Sequence, residues 1–140
     1  MAQPKLDVVL ETVPLFEGLP KRHLKRLGNV AEVAEFMADY PIVKEGQDGD
    51  AFYVVLAGQA KVTSRGKLIN RLVPGEHFGE ISLLDGDVRT ATVTSETPMT
   101  LLMLSRPRFL KALREEPEMA KNLLASLARH VRRTQRSIVN

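Results

Sequence analysis

Between positions 78 and 93 the chain reads FGEISLLDGDVRTATV, and these residue types in this order suit the holding of an anion. Gly79 has no Cβ, so its backbone can approach a bound molecule closely. The apolar turn after it, Ile81-Ser82-Leu83-Leu84, begins with N–H groups that have no acceptor inside the turn. Beyond the polar break Asp85-Gly86-Asp87, Arg89 adds a planar fork of donors that matches phosphate oxygens. Glu80 has the wrong sign for phosphate, but it accepts readily from hydroxyls such as those of a ribose. The stretch reads as a cradle for a sugar phosphate. In the ligand-free alternative, Asp87 or Glu80 neutralises Arg89 and the segment is structural.

Other chemistries find no comparable grouping. His23, His77 and His130 show no metal-ligand spacing. There is no serine in a G-x-S-x-G elbow and no glycine-rich loop with the lysine and serine of nucleotide hydrolysis. Asp85 and Asp87 flank Gly86 in a turn, which is their commonest structural use. The absence of cysteine excludes disulfides, thiol chemistry and thiolate metal sites. The expectation is a binding protein with no metal, no cofactor and no catalysis.

The cradle needs a scaffold, and the remaining sequence supplies its elements. A chain of 140 residues suffices for one domain with its own core. No run approaches the roughly 18 apolar residues of a membrane span, and MAQPKLDVVL lacks a basic-then-apolar leader, so a cytoplasmic setting is expected. Residues 5–12 and 20–30 have helical patterns, the first with Leu6, Val9, Leu10 and Val13 on one side, the second with Leu24 and Leu27 inward. From 33 onward, short β-forming runs alternate with turns: 33–37, 42–44, 51–56, 59–64, 67–72, 90–95 and 99–104. In this reading Gly46, Gly49, Gly58 and Gly75 serve turns of positive φ. Helices follow at 105–115 and 118–137.

The last helix carries two signals. Ala120, Leu124, Leu127, Val131, Thr134 and Ile138 form one apolar-leaning stripe, and Arg129, Arg132, Arg133 and Arg136 fall opposite it. After Glu118 there is no acid, while the rest of the chain holds 15 bases against 17 acids. The basicity thus belongs to this helix and does not by itself point to nucleic acid. The arginine face is expected to be solvated, and the stripe to pack on the chain's own core or on a second copy.

The segment 78–93 resembles the phosphate-binding cassette of the cyclic nucleotide-binding domain family, with F-G-E-I-S-L-L and then R-T-A-T-V in order. Pro14-Leu15-Phe16-Glu17-Gly18-Leu19 is similar to that family's entry segment, and Glu45 to Gly58, E-G-x-x-G-D-x-F-Y-V-V-x-x-G, to its central strand. The resemblance implies a mainly β fold, an eight-stranded antiparallel β-roll (33–104) with N-terminal helices (1–30) and C-terminal hinge and lid helices (105–140), as one domain over 1–140. It implies that cAMP or cGMP is bound by Gly79, Glu80, Ile81, Ser82, Arg89, Thr90 and Ala91. Arg89 would hold the phosphate, and Glu80 the ribose 2′-hydroxyl. Thr90 permits cGMP without excluding cAMP. Leu83 and Phe109 would form a hinge, and Leu124, Leu127 or Val131 would stand where the family often places an aromatic lid. The chain would be a regulatory sensor, alone or within a longer protein, acting through a homodimer or a downstream protein partner, not through membrane or nucleic acid. A ligand-free interaction domain and a nucleic-acid binder using the arginine helix are the alternatives.

Overall fold

The computed structural model describes residues 6–139, with the side chains of Asp7 and of 137–139 excepted. The expectations for Lys5 and for the Ile138 side chain lie outside the described residues. Eight strands run in chain order as β1 (Glu32–Phe36), β2 (Pro41–Val43), β3 (Ala51–Ala57), β4 (Ala60–Ser64), β5 (Lys67–Leu72), β6 (His77–Phe78), β7 (Thr92–Ser95) and β8 (Met99–Ser105). They form two four-stranded antiparallel sheets, ordered β1-β8-β3-β6 and β2-β7-β4-β5. This is the eight-stranded β-roll.

Alternation along β3 and β8 decides where the core sits. Phe52 and Val54 of β3, with Leu102 and Leu104 of β8, face a cluster built with the helices. Ala51, Tyr53 and Val55, with Met99 and Leu101, face the interior between the sheets. The first sheet is therefore apolar on both faces, and AFYVV is buried throughout. Its register is set by pairs such as Phe52↔Leu104 and Val54↔Leu102.

The helices are α1 (Leu6–Leu10), α2 (Lys21–Val30), α3 (Glu80–Asp85), α4 (Arg106–Glu115) and α5 (Pro117–Val139). In α2, Leu24 and Leu27 are buried as their spacing predicts. Phe109 of α4 has no exposed surface, and its ring stacks on Phe52 with centroids 4.5 Å apart. At the root of α5, Glu116 is buried and pairs with His23 of α2 at 2.7 Å.

Three local expectations change. The strand His77–Phe78 is absent from the expected runs, being too short to show an alternation; it pairs with Tyr53 and Val54. The strand expected over 90–95 begins at Thr92, because the backbone at Arg89 is taken by another partner. Its N–H donates to the Gln47 carbonyl and its own carbonyl accepts from Gly46, both at 2.8 Å. Gly46, Gly58 and Gly75 have positive φ, but Gly49 does not. Gly49 is short of room instead, since a Cβ there would collide with Ser82 Oγ.

Phe109 joins α4 to the first sheet, so Phe109→Ala should lower the unfolding free energy by about 3–5 kcal/mol in a urea titration, with a native-like circular dichroism spectrum retained.

Candidate functional site

Arg89 is 6% exposed although it carries a full charge. Its Nη2 donates to the Ala51 carbonyl at 3.1 Å, and its Nη1 reaches the Gly79 carbonyl at 3.4 Å. The guanidinium carbon lies 6.0 Å from the centre of the Tyr53 ring. Its ion pair is with Asp50, at 3.5 Å, rather than with Asp87 or Glu80, and the Asp50 side chain is 88% exposed. Such a partner is screened by water and offsets little of the cost of burying a guanidinium. The charge is held by dipoles and still calls for an anion.

Gly79 makes this geometry possible. Its φ of 97° lies in the left-handed region. A Cβ there would stand 2.8 Å from Arg89 Nη1 and 2.9 Å from the Ala51 carbonyl oxygen. Glu80 opens α3 and is itself 8% exposed, while Ser82 and Leu83 are buried behind it. The Glu80 carboxylate approaches His77 Nδ1 at 3.5 Å. Burial pushes the Tyr53 hydroxyl above its ordinary pKa of 10.0; the Asp50 charge adds to the rise and Arg89 opposes it.

A cavity of about 970 Å³ opens between this segment and α5. The seven residues expected to bind, Gly79, Glu80, Ile81, Ser82, Arg89, Thr90 and Ala91, all line it. Its floor is apolar, with Val43, Val62, Leu72 and Val93 from the second sheet. One charged, hydroxyl-accepting wall over an apolar floor suits a molecule with a phosphate, a sugar and a flat base. Among the described residues no group of three or more His, Cys, Asp or Glu side chains could hold a metal ion.

A family model described as the cyclic nucleotide-binding domain matches residues 33–116. The chain belongs to that family. It is 26% identical over 140 residues to a CRP-like cAMP-activated global transcriptional regulator of Mycobacterium tuberculosis, covering 96% of this chain and 62% of the relative. Over 87 residues it is 40% identical to a cGMP-dependent protein kinase of Toxoplasma gondii, covering 62% of this chain and 9% of the kinase. The catabolite activator protein of Thermus thermophilus superposes with a TM-score of 0.82 at 32% identity, over 89% of this chain and 61% of that one. The chain thus spans less than two thirds of the length of these relatives. No helix among the described residues is long and apolar enough to cross a membrane.

Beyond the residues that the family model matches, α5 differs most from expectation. Leu127 lines the cavity, but Leu124 and Val131 do not, and they are 67% and 52% exposed. The packed face of α5 is Met119, Leu123 and Leu127, one position off the Ala120–Leu124 stripe. Packing against the Pro14–Phe16 turn selects this face. Asn122 fixes that choice by donating to the carbonyls of Leu15 and Glu17, each at 2.9 Å. Arg129, Arg132, Arg133 and Arg136 are exposed, as expected of a solvated face, and they also line the mouth of the cavity. Leu83 and Phe109 are both fully buried in the helix-side cluster.

Asp50, Ala51, Tyr53, His77 and Ser126 were not singled out from the sequence. Tyr53 alone gave a sign, as an aromatic at an inward position of β3. Two measurements test this geometry. Gly79→Ala should cost about 1–3 kcal/mol of stability through left-handed strain, read by urea titration. Because the folded protein favours neutral Tyr53, its contribution is complete below pH 10 and is lost as pH rises through the folded value. Tyr53→Phe should therefore lose stability less steeply above pH 10 than the parent does.

Proposed function

We propose that this chain binds a cyclic nucleotide, cAMP or cGMP, and acts as a regulatory binding module without catalysis of its own. The observation that carries the reading is a buried Arg89 guanidinium with a water-screened counter-ion, in the same cavity as the buried Glu80 carboxylate. The cyclic phosphate takes the charge-assisted bonds of Arg89, and Glu80 accepts from the ribose. The names of the relatives support both bases, since one is cAMP-activated and another cGMP-dependent. Thr90 at the cavity wall suits either.

The regulatory step is a shift of α5. Ligand phosphate draws α3 inward with Leu83, Phe109 repacks, and α5 closes over the base with Leu127 and the arginines at its inner face. The ligand moves this equilibrium only by its differential affinity for the two positions. Leu124 and Val131, exposed on the outer face of α5, are where a second copy pairs. The arginines at the cavity mouth favour attraction of the anionic ligand over a separate nucleic-acid surface.

Calorimetric titration of cAMP and cGMP should give binding with at least one of them, weakened about 100-fold or more in Arg89→Ala. Absence of heat with both, in protein stripped of carried-over nucleotide, would end this reading. On binding, hydrogen exchange over residues 117–136 should slow. Replacing Arg129, Arg132 and Arg136 together by Gln should reduce the association rate about 3–10-fold in 20 mM salt. In 500 mM salt, where screening acts over a few ångströms, the two rates should converge.

A further inference from the structure

His77 stands on β6, directly before the cassette, and has no part in the binding set described above. Its side chain is 11% exposed and packs beside Phe52, with ring centroids 5.5 Å apart. Its two nitrogens face different elements. Nε2 is 3.3 Å from Ser126 Oγ of α5. Nδ1 is 3.5 Å from Glu80 Oε1, beyond ordinary hydrogen-bond range. Among the described residues, Nδ1 is the buried side-chain polar atom left without a hydrogen-bond partner. Such an atom is costly, and its position beside the sugar-binding carboxylate calls for a reason.

Glu80 selects the tautomer. An ionised carboxylate only accepts, so an unprotonated Nδ1 facing it would set lone pair against lone pair. With the proton on Nδ1, Nε2 is the acceptor, and Ser126 must donate its O–H. A hydroxyl that donates to Glu80 keeps lone pairs of its own. Admitted beside both groups, which part from their present 3.5 Å to receive it, it can accept from Nδ1–H while donating to the carboxylate.

We propose that His77 is a ligand-sensing residue of this cavity, whose Nδ1–H bonds the sugar hydroxyl held by Glu80 and whose Nε2 conveys that occupancy to α5 through Ser126. The inference rests on the reading that Glu80 takes a ribose hydroxyl. It narrows the ligand class to cyclic nucleotides with a free 2′-hydroxyl. Direction follows from the anchoring of each end. The His77 backbone is fixed in the sheet by its pairing with Val54, and Ser126 of α5 already lies 3.3 Å from the ring, so an ordered ring holds α5 in this position. The hydroxyl fixes the ring's orientation through Nδ1, and with it the Nε2 acceptor that keeps Ser126 in place.

The test compares 3′,5′-cyclic AMP and GMP with their 2′-deoxy counterparts by calorimetry, in the parent, His77→Phe, His77→Leu and Ser126→Ala, with hydrogen exchange over residues 117–136. His77→Phe keeps the ring beside Phe52 and removes both nitrogens. The parent should prefer the ribonucleotide about 10-fold or more, and His77→Phe should reduce that ratio about 5-fold, the worth of one hydrogen bond. Ser126→Ala should leave the ratio within about twofold while losing much of the ligand-induced protection of α5. If His77→Phe fails to fold, His77→Leu carries the same comparison, because it too lacks any hydrogen-bonding group. A ribo-to-deoxy ratio unchanged in a folded His77 variant, or full α5 protection in Ser126→Ala, would overturn the proposal. Failure of the parent to bind any cyclic nucleotide would remove the nucleotide reading itself, a result visible before any variant is made.

Discussion

A guanidinium withdrawn from water has to be answered by something, and around Arg89 the answer is a set of backbone carbonyls. Those of Ala51 and Gly79 accept from its Nη2 and Nη1, and Gly46 and Gln47 grip the arginine's own backbone. The loop 45–50, the start of β3 and the start of α3 are thereby tied to one side chain. Gly49 packs against Ser82 where no Cβ fits, so the loop and α3 cannot adjust independently. Carbonyl dipoles can orient a cation, but they supply no full negative charge. That deficit explains a positive, preorganised socket in a segment that is otherwise apolar or acidic.

The first sheet separates this socket from the mechanical side of the molecule. Odd-numbered residues of β3 face the interior of the roll and even-numbered ones face the helices, so a shift of α3 is felt on both sides. The proximal part of α5 is well fixed. Glu116 is held by His23 at 2.7 Å and by Arg26 at 3.5 Å, and Asn122 is held by the turn at Leu15. Motion of the base of the helix would break these contacts together.

Much of the scaffold was legible because its signals are local. The β-forming run at 51–56, the turn glycines and the ordered cassette each speak within a few residues. Arg89 and Glu80 announced themselves by being charged in an apolar context. What escaped depends on contacts between distant segments. His77 meets Ser126 across 49 positions, and Asp50 reaches Arg89 across 39. The packed face of α5 escaped for a similar reason: Leu127 belongs to the expected stripe, but the Pro14–Phe16 turn, distant in sequence, takes Met119 and Leu123 in place of Ala120 and Leu124. The arginines stay exposed and lie at the mouth of the cavity.

Packing of α5 against the body ends at Leu127, and every residue from Ala128 to Arg136 is exposed. A helical segment of that length has marginal stability in water on its own. Here it also sets Arg129 against Arg132 and Arg133, and both against Arg136, at spacings of three and four where like charges repel. The outer α5 is therefore the least anchored part of the helix. In the proposed binding mode an anion beneath it would relieve the repulsion and favour the coiled-up form. The quantity reported to a partner would then be the number of turns the rod keeps, a helix–coil equilibrium read out as length.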